Sequence, residues 1–226
     1  MMKKLLLPAL ALTLASSAQA AIIAGDQIFV DFGNTVATGN YNTINSSALS
    51  IADTVRFTDG STTGVGLTVT ATNPYDGGGA IASTAGLTNV NTSDADVYVD
   101  TLLSTAGNNG AGNDTITITF TGLDDSLRYD IVGGLARTSG GENFDTDWVI
   151  SGETTQTADG TAAGGYVEFL GVETTAPGTL TITLTDNLRQ SGLAQLSLTA
   201  VTAVPEPSSA ALLGLGGLAL ILRRNK

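Results

Sequence analysis

The sequence predicts an all-β fold for most of this 226-residue chain. Apolar and polar residues alternate with a period of two in several segments, as in strands with one buried and one solvated face. Clusters of Gly, Asn, Asp and Ser separate these segments, and residues 21–204 contain no apolar pattern with the helical period. About ten short strands in one domain favour a single antiparallel β-sandwich of jelly-roll type.

The period-two alternation also defines the individual elements. The predicted strands are residues 28–32, 49–57, 65–70, 97–102, 115–120, 128–135, 147–151, 166–170, 180–185 and 196–199. The predicted turns are residues 58–61, 73–79, 107–114 and 139–141. The side chains expected in the core include Ile116, Ile118, Phe120, Ile182 and Leu184. Those expected to be largely exposed are Thr117, Thr119, Thr181 and Thr183.

The N-terminal residues have the layout of a secretory signal peptide. Two lysines precede the apolar residues 5–15, and Ala18 and Ala20 then form an Ala-x-Ala site. We expect signal peptidase to cleave between Ala20 and Ala21, which makes residues 1–20 the signal peptide. An uncleaved anchor helix is the alternative, but the apolar run is too short for a helix that must span a membrane with about 20 residues.

A second apolar run, residues 208–222, carries no charge and is followed by Arg223, Arg224 and Lys226. As a helix it would span about 22 Å, which is shorter than a hydrocarbon core of about 30 Å. Local thinning of the bilayer and snorkelling of the arginines can close this gap. The basic end is expected to stay cytoplasmic, which places the rest of the chain outside the cytoplasm, in agreement with the signal peptide.

Pro205, Glu206 and Pro207 stand directly before this transmembrane helix. Proline fixes φ and disfavours helix at the residue before it, so these residues are expected to lie extended just outside the membrane. Residues 204–226 together resemble a PEP-CTERM sorting domain. The resemblance implies recognition of the three residues by an exosortase, an integral-membrane cysteine peptidase, and removal of the helix. It also implies an association with extracellular polysaccharide and biofilm matrix. A plain C-terminal anchor is the alternative.

The composition argues against several kinds of chemistry. The chain has no His and no Cys, so it can form neither a Ser-His-Asp triad nor a thiolate site. Residues 21–204 carry 20 of the 21 acidic residues and only four arginines, a net charge of −16 that repels nucleic acid. Two carboxylates could hydrolyse a glycoside, but the acidic residues mostly lie in turns without a paired spacing. We therefore predict that the protein is not an enzyme.

No cofactor is predicted, with one alternative left open, a structural calcium ion. Calcium binds carboxylate and carbonyl oxygens, and pairs of acidic residues in loops can supply them. The main candidates are Asp94, Asp96, Asp145 and Asp147, and further fragments are Asn113–Asp114 and Asp124–Asp125. None of them matches an EF-hand loop. Turn capping on a solvated surface is the competing and favoured explanation.

Aromatic residues offer little evidence of a ligand site. Trp148 lies beside Val149 and Ile150, so we expect it in the core rather than exposed for stacking on a sugar. Tyr75, in a glycine-rich turn, is a weak candidate for ligand contact. Residues 28–34 and 120–131 resemble parts of galactose-binding-like jelly rolls of exported proteins.

These observations divide the chain into a signal peptide (1–20), a β-sandwich domain (21–203) and a sorting tail (204–226). The predicted function is that of a non-enzymatic, exosortase-sorted protein. It would be anchored transiently in the inner membrane and then reach the cell surface or extracellular matrix. The expected partners are signal peptidase, exosortase and extracellular polysaccharide, and no nucleic acid. A secreted carbohydrate-active enzyme with the same tail is the alternative.

Overall fold

A computed structural model describes residues 20–34, 39–78, 100–104, 114–135, 146–159, 166–186 and 191–203. This part of the chain is all strand, turn and loop, which confirms the all-β prediction. The strands are β1 (Gln27–Phe32), β2 (Asn42–Ile44), β3 (Ser50–Ile51), β4 (Gly66–Ala71), β5 (Tyr75–Gly78), β6 (Asp100–Ser104), β7 (Thr115–Thr121), β8 (Leu127–Leu135), β9 (Thr146–Ser151), β10 (Thr155–Asp159), β11 (Tyr166–Val172), β12 (Leu180–Asp186) and β13 (Ser191–Thr202).

The strands form two sheets. The first sheet has the order β11-β8-β13-β1-β2, and β6 joins it by pairing with β13 while β5 pairs with β6. The second sheet has the order β10-β9-β12-β7-β4-β3. Neighbouring strands are antiparallel, as predicted, with one exception: β2 runs parallel to β1. The Asn42 side chain holds this short strand in place, because its amide donates to the carbonyl oxygens of Phe29 and Arg56 at 3.0 and 2.9 Å.

One hydrophobic core lies between the two sheets. It contains the five predicted core residues, together with Ile28, Val30 and Phe32 of β1 and Leu196 and Leu198 of β13. Trp148 of β9 is also fully buried, as expected, and its ring packs against Gly133 of β8 in the opposite sheet. A Cβ atom at residue 133 would collide with this ring, so Gly133 makes room for the indole.

The threonine faces of β7 and β12 differ from the prediction. Thr117, Thr119, Thr181 and Thr183 are half-buried rather than largely exposed. In the sheet register Thr119 lies beside Thr181 on one side and Thr68 of β4 on the other. Rows of threonines on adjacent strands shield one another, because cross-strand neighbours have Cβ atoms only about 5 Å apart.

One predicted strand and one predicted turn were wrong. Residues 49–57 form only the two-residue strand β3, because Asp53 adopts a left-handed φ of 48° and the chain turns there. Beyond this turn the backbone N–H groups of Val55 and Phe57 donate hydrogen bonds to the carbonyl oxygens of Val65 and Ser61. This part of the chain therefore does not extend β3. The predicted turn at 73–79 contains β5, which pairs with β6. Of the other predicted turns, 58–61 is confirmed, 139–141 lies outside the described residues, and only Asp114 of 107–114 lies within them.

No helix long and apolar enough to cross a membrane occurs among the described residues. The predicted transmembrane helix at 208–222 and the basic end lie outside them, as does most of the signal peptide. At the predicted signal peptidase site Ala20 and Ala21 are exposed. The backbone N–H of Ala20 donates a hydrogen bond to the carbonyl oxygen of Thr62 at 3.2 Å. Cleavage between these alanines remains a prediction.

Candidate functional site

Most of the sequence-predicted site residues lie outside the part of the chain that the structure describes. The sorting residues Pro205, Glu206 and Pro207 lie outside the described residues, as do Ala18, Asp94, Asp96 and Asp145. Asp147 lies on β9 and is exposed, on the side opposite Trp148. Within the described ranges no group of three or more acidic residues is placed to hold a metal ion. Calcium binding by the predicted set therefore remains a prediction.

Asp124 and Asp125 stabilise the turn between β7 and β8 by accepting hydrogen bonds. The Asp124 carboxylate accepts bonds from the backbone N–H and the hydroxyl of Ser126 at 2.8 and 2.6 Å. These two bonds hold the pKa of Asp124 below its usual value. Asp125 accepts from the Thr174 hydroxyl and the Gly178 N–H, both at 2.7 Å. Both carboxylates are engaged within the turn and the neighbouring loop, as turn capping predicts.

Tyr129 ties the same turn to the core. Its buried ring belongs to β8, and its hydroxyl accepts from the Asp124 N–H at 2.9 Å and donates to the Asp124 carbonyl at 3.1 Å. Burial raises the pKa of the Tyr129 phenol to about 12. A group with a raised folded-state pKa contributes its stability below the unfolded-state pKa, and that contribution is lost as the pH rises through the folded-state pKa.

We therefore expect the free energy of unfolding to fall between about pH 10 and pH 12, in part because of Tyr129. The Tyr129→Phe variant should show a shallower decline, and at pH 7 it should be less stable by about 1 kcal/mol because two hydrogen bonds are lost. Urea unfolding at several pH values measures both effects. Tyr166→Phe, at a half-buried tyrosine of β11, is the matched control and should keep the full decline. An unchanged decline in Tyr129→Phe would contradict the assignment.

A small group of charged residues lies near the same end of β8. Arg128 forms an ion pair with Glu173, and Glu173 also accepts a hydrogen bond from Glu153. That hydrogen bond and the charge of Glu173 raise the pKa of the exposed Glu153. Arg128 neutralises the charge of one of the two carboxylates, and the group is in contact with solvent. It therefore has the character of a surface ion pair rather than a reactive centre.

The outer face of the first sheet carries an aromatic pair. Alternation along β1 points Ile28 and Val30 into the core, so Phe29 lies on the opposite face. Its ring stacks on Tyr41, with the centroids 5.6 Å apart and the planes inclined by 25°. Both residues are only half-buried, so this pair offers a partly solvent-accessible aromatic surface.

Three buried polar residues continue this face into the centre of the sheet. In the register of β1 with β13, Phe29 lies opposite Ser197 and Asp31 opposite Gln195. Asp31, Gln195 and Ser197 are fully buried. The amide of Gln195 and the hydroxyl of Ser197 make no hydrogen bond in the described structure. The accessible part of this face is thus its aromatic flank. Sequence reasoning missed it, although the alternation of residues 28–32 was a signal that Phe29 and Asp31 face away from the core.

The described fold defines the class of protein as a two-sheet β domain with a strongly acidic composition. In the sequence this domain is followed by a C-terminal tail that is apolar and has a basic end. Comparison with protein families identifies that tail as a PEP-CTERM protein-sorting motif at residues 203–225. The match confirms the predicted sorting domain, shifted by one residue at each end. The motif implies export, processing by exosortase and a cell-surface or extracellular location. No curated protein matches the chain significantly.

Proposed function

We propose that this protein is a non-enzymatic component of the cell surface or extracellular matrix whose β domain associates with extracellular polysaccharide. The observation that carries the proposal is the sorting motif at residues 203–225. It assigns the chain to the exosortase route, and the acidic character of residues 21–204 suits a domain that stays soluble outside the cell. The stacked pair Phe29 and Tyr41 supplies an aromatic surface of the kind that packs on sugar rings.

The route to the surface follows from the two ends of the chain. Signal peptidase would remove residues 1–20, and the helix at 208–222 would hold the protein transiently in the inner membrane. Arg223, Arg224 and Lys226 would keep the end of that helix on the cytoplasmic side. Exosortase would then act at or near Pro205, Glu206 and Pro207 and separate the domain from its anchor.

The strand order supports the jelly-roll form of the sandwich. Four neighbouring strands of the first sheet, β1-β13-β8-β11, face the series β7-β12-β9-β10 in the second. From β7 to β13 the chain alternates between the two sheets, except at the β9–β10 hairpin. Eight strands arranged in this way as two Greek keys are typical of a jelly roll.

The polysaccharide association predicts a specific effect of the aromatic pair. We expect the full chain to be retarded in affinity gels that contain the host's extracellular polysaccharide. Phe29→Ala with Tyr41→Ala should reduce this retardation about 10-fold or more, since covering an aromatic side chain contributes about 1.5–3 kcal/mol. Leu170→Ala, which removes an apolar side chain that is 60% exposed on β11, is the control and should not change it. Equal retardation of the double variant would refute this surface as the binding site.

A hydrolysis assay on the same polysaccharide separates the non-enzymatic role from that of a carbohydrate-active enzyme. We expect no new reducing ends after prolonged incubation. Turnover of the polysaccharide would refute the non-enzymatic role, whatever the gels show.

A further inference from the structure

The outer face of the second sheet is built mainly from hydroxyl side chains. On β4, β7 and β12 the residues that alternate with the core residues are threonines, and β3, β9 and β10 add serines and further threonines. Within the described strands, the charged residues of this face are Asp147 and its partner Asp159, both toward one end of the sheet. The rest of the face is uncharged, although residues 21–204 carry a net charge of −16.

The strand register aligns six of these hydroxyl groups in a single row across the sheet. Strand by strand, this hydroxyl row consists of Ser50, Thr68, Thr119, Thr181, Ser151 and Thr155. Every strand of the second sheet contributes one member, and each member is exposed or half-buried. Neighbouring strands lie 4.7–4.9 Å apart, so the row is about 24 Å long. Sheet twist turns the strands about an axis that crosses them, which leaves such a row nearly straight.

The chemistry of the hydroxyl row restricts the partner that can cover it. A hydroxyl group both donates and accepts hydrogen bonds, and covering it without a partner costs free energy. A binding partner must therefore carry hydrogen-bonding groups along its length, which excludes an apolar surface. The row has no charge with which to pair a basic partner, and the net negative charge of the domain repels a polyanion. An uncharged polymer rich in hydroxyl groups meets all of these conditions.

We propose that the hydroxyl row binds a neutral polysaccharide chain that lies across the strands of the second sheet. An extended chain of sugar rings offers hydroxyl groups at regular intervals, and its CH groups can contact the threonine methyl groups. The inference rests on the polysaccharide association proposed above and names its class, an uncharged glycan. The row and the aromatic pair of Phe29 and Tyr41 belong to the outer faces of different sheets, so the two contacts can be tested separately.

Affinity gels test the proposal when the host's extracellular polysaccharide is first separated by anion exchange into neutral and acidic fractions. At low salt, where charge repulsion is least screened, the neutral fraction should retard the full chain at least about 10-fold more strongly than the acidic fraction. Thr119→Val with Thr181→Val removes two central hydroxyl groups and should weaken retardation by the neutral fraction about 10-fold. Valine is β-branched like threonine, so this variant should fold with an unchanged or higher Tm.

Two control variants separate loss of the hydroxyl groups from other effects. Thr119→Ser with Thr181→Ser keeps both hydroxyl groups and should keep the retardation within about 3-fold of the natural value. Thr62→Val with Thr202→Val removes two exposed hydroxyl groups away from the row and should leave the retardation unchanged.

Three results would overturn the proposal while leaving the polysaccharide association intact. They are natural retardation of the valine variant, retardation by the acidic fraction alone, and a dimer of the natural protein that the valine variant loses while its retardation stays unchanged. The last result would assign the row to a second copy of the chain. If neither fraction retards the natural protein, the association itself is refuted as well.

Discussion

Replacing Trp148 with alanine is expected to lower the free energy of unfolding by about 3–5 kcal/mol. The indole is fully buried and fills the space between the two sheets, where it packs against Gly133. Its removal takes away apolar burial and leaves a cavity that two hydrogen-bonded sheets cannot close. For a domain of this size the loss corresponds to a fall in Tm of roughly 6–20 °C. Thermal unfolding followed by circular dichroism measures it.

Two further variants test the same contact. Gly133→Val adds a side chain where the Trp148 ring already lies, so it should destabilise the protein comparably by overpacking. Leu170→Ala, at an exposed residue of β11, should change the free energy of unfolding by no more than about 0.5 kcal/mol. If Trp148→Ala unfolds at the natural temperature, the indole does not contribute to the packing described here.

Substitution of the sorting residues is expected to abolish the release of the protein from the inner membrane. Changing Glu206 to Ala, or Pro205 and Pro207 to Ala, removes the recognition features without shortening the apolar run. Without the prolines the extended segment beside the membrane helix can become helical, and a peptidase cleft no longer meets an extended chain. The variant should accumulate in the inner-membrane fraction as a longer species that still contains Arg223 and Arg224.

Mass spectrometry of the surface and membrane fractions measures this effect. Thr202→Ala, at an exposed residue near the end of β13 and a few residues before the motif, is the control and should be processed normally. Peptides that cover Leu222 to Lys226 on the natural protein at the cell surface would mean that the tail is a simple anchor and that the processing proposal is wrong.

The strands that the sequence predicted best are those whose two faces differ most. Residues 115–120 and 180–185 alternate between threonine and large apolar residues, and the structure places both strands within one residue of the predicted ends. In β13, by contrast, only 196–199 was predicted of a twelve-residue strand. Gly192, Ala194 and Gln195 interrupt its alternation, and the register shifts between Leu193 and Gln195. A central strand that is buried on both faces does not require a polar side, so the periodic signal disappears.

The missed strands are short or polar. β2 has three residues, and β10 (Thr155–Asp159) lies at an edge of its sheet and contains no large apolar residue. β5 includes two glycines and reads as a turn, yet its backbone pairs with β6. Such strands form because their backbones make hydrogen bonds to a neighbouring strand, and the pattern of their own side chains does not predict that neighbour.

By itself the sequence determined the all-β class, the core face of β7 and β12, the burial of Trp148 and the sorting tail, because each of these depends on a local pattern of adjacent residues. Only the tertiary structure decided which distant residues become neighbours. It paired Phe29 with Tyr41 on an outer face, gave Tyr129 a role in holding the turn at Asp124, and placed Ser50 and Thr155 at the two ends of one hydroxyl row. The physical reason is that strand register and sheet order are set by cooperative packing of the whole core, to which residues far apart in the chain contribute together.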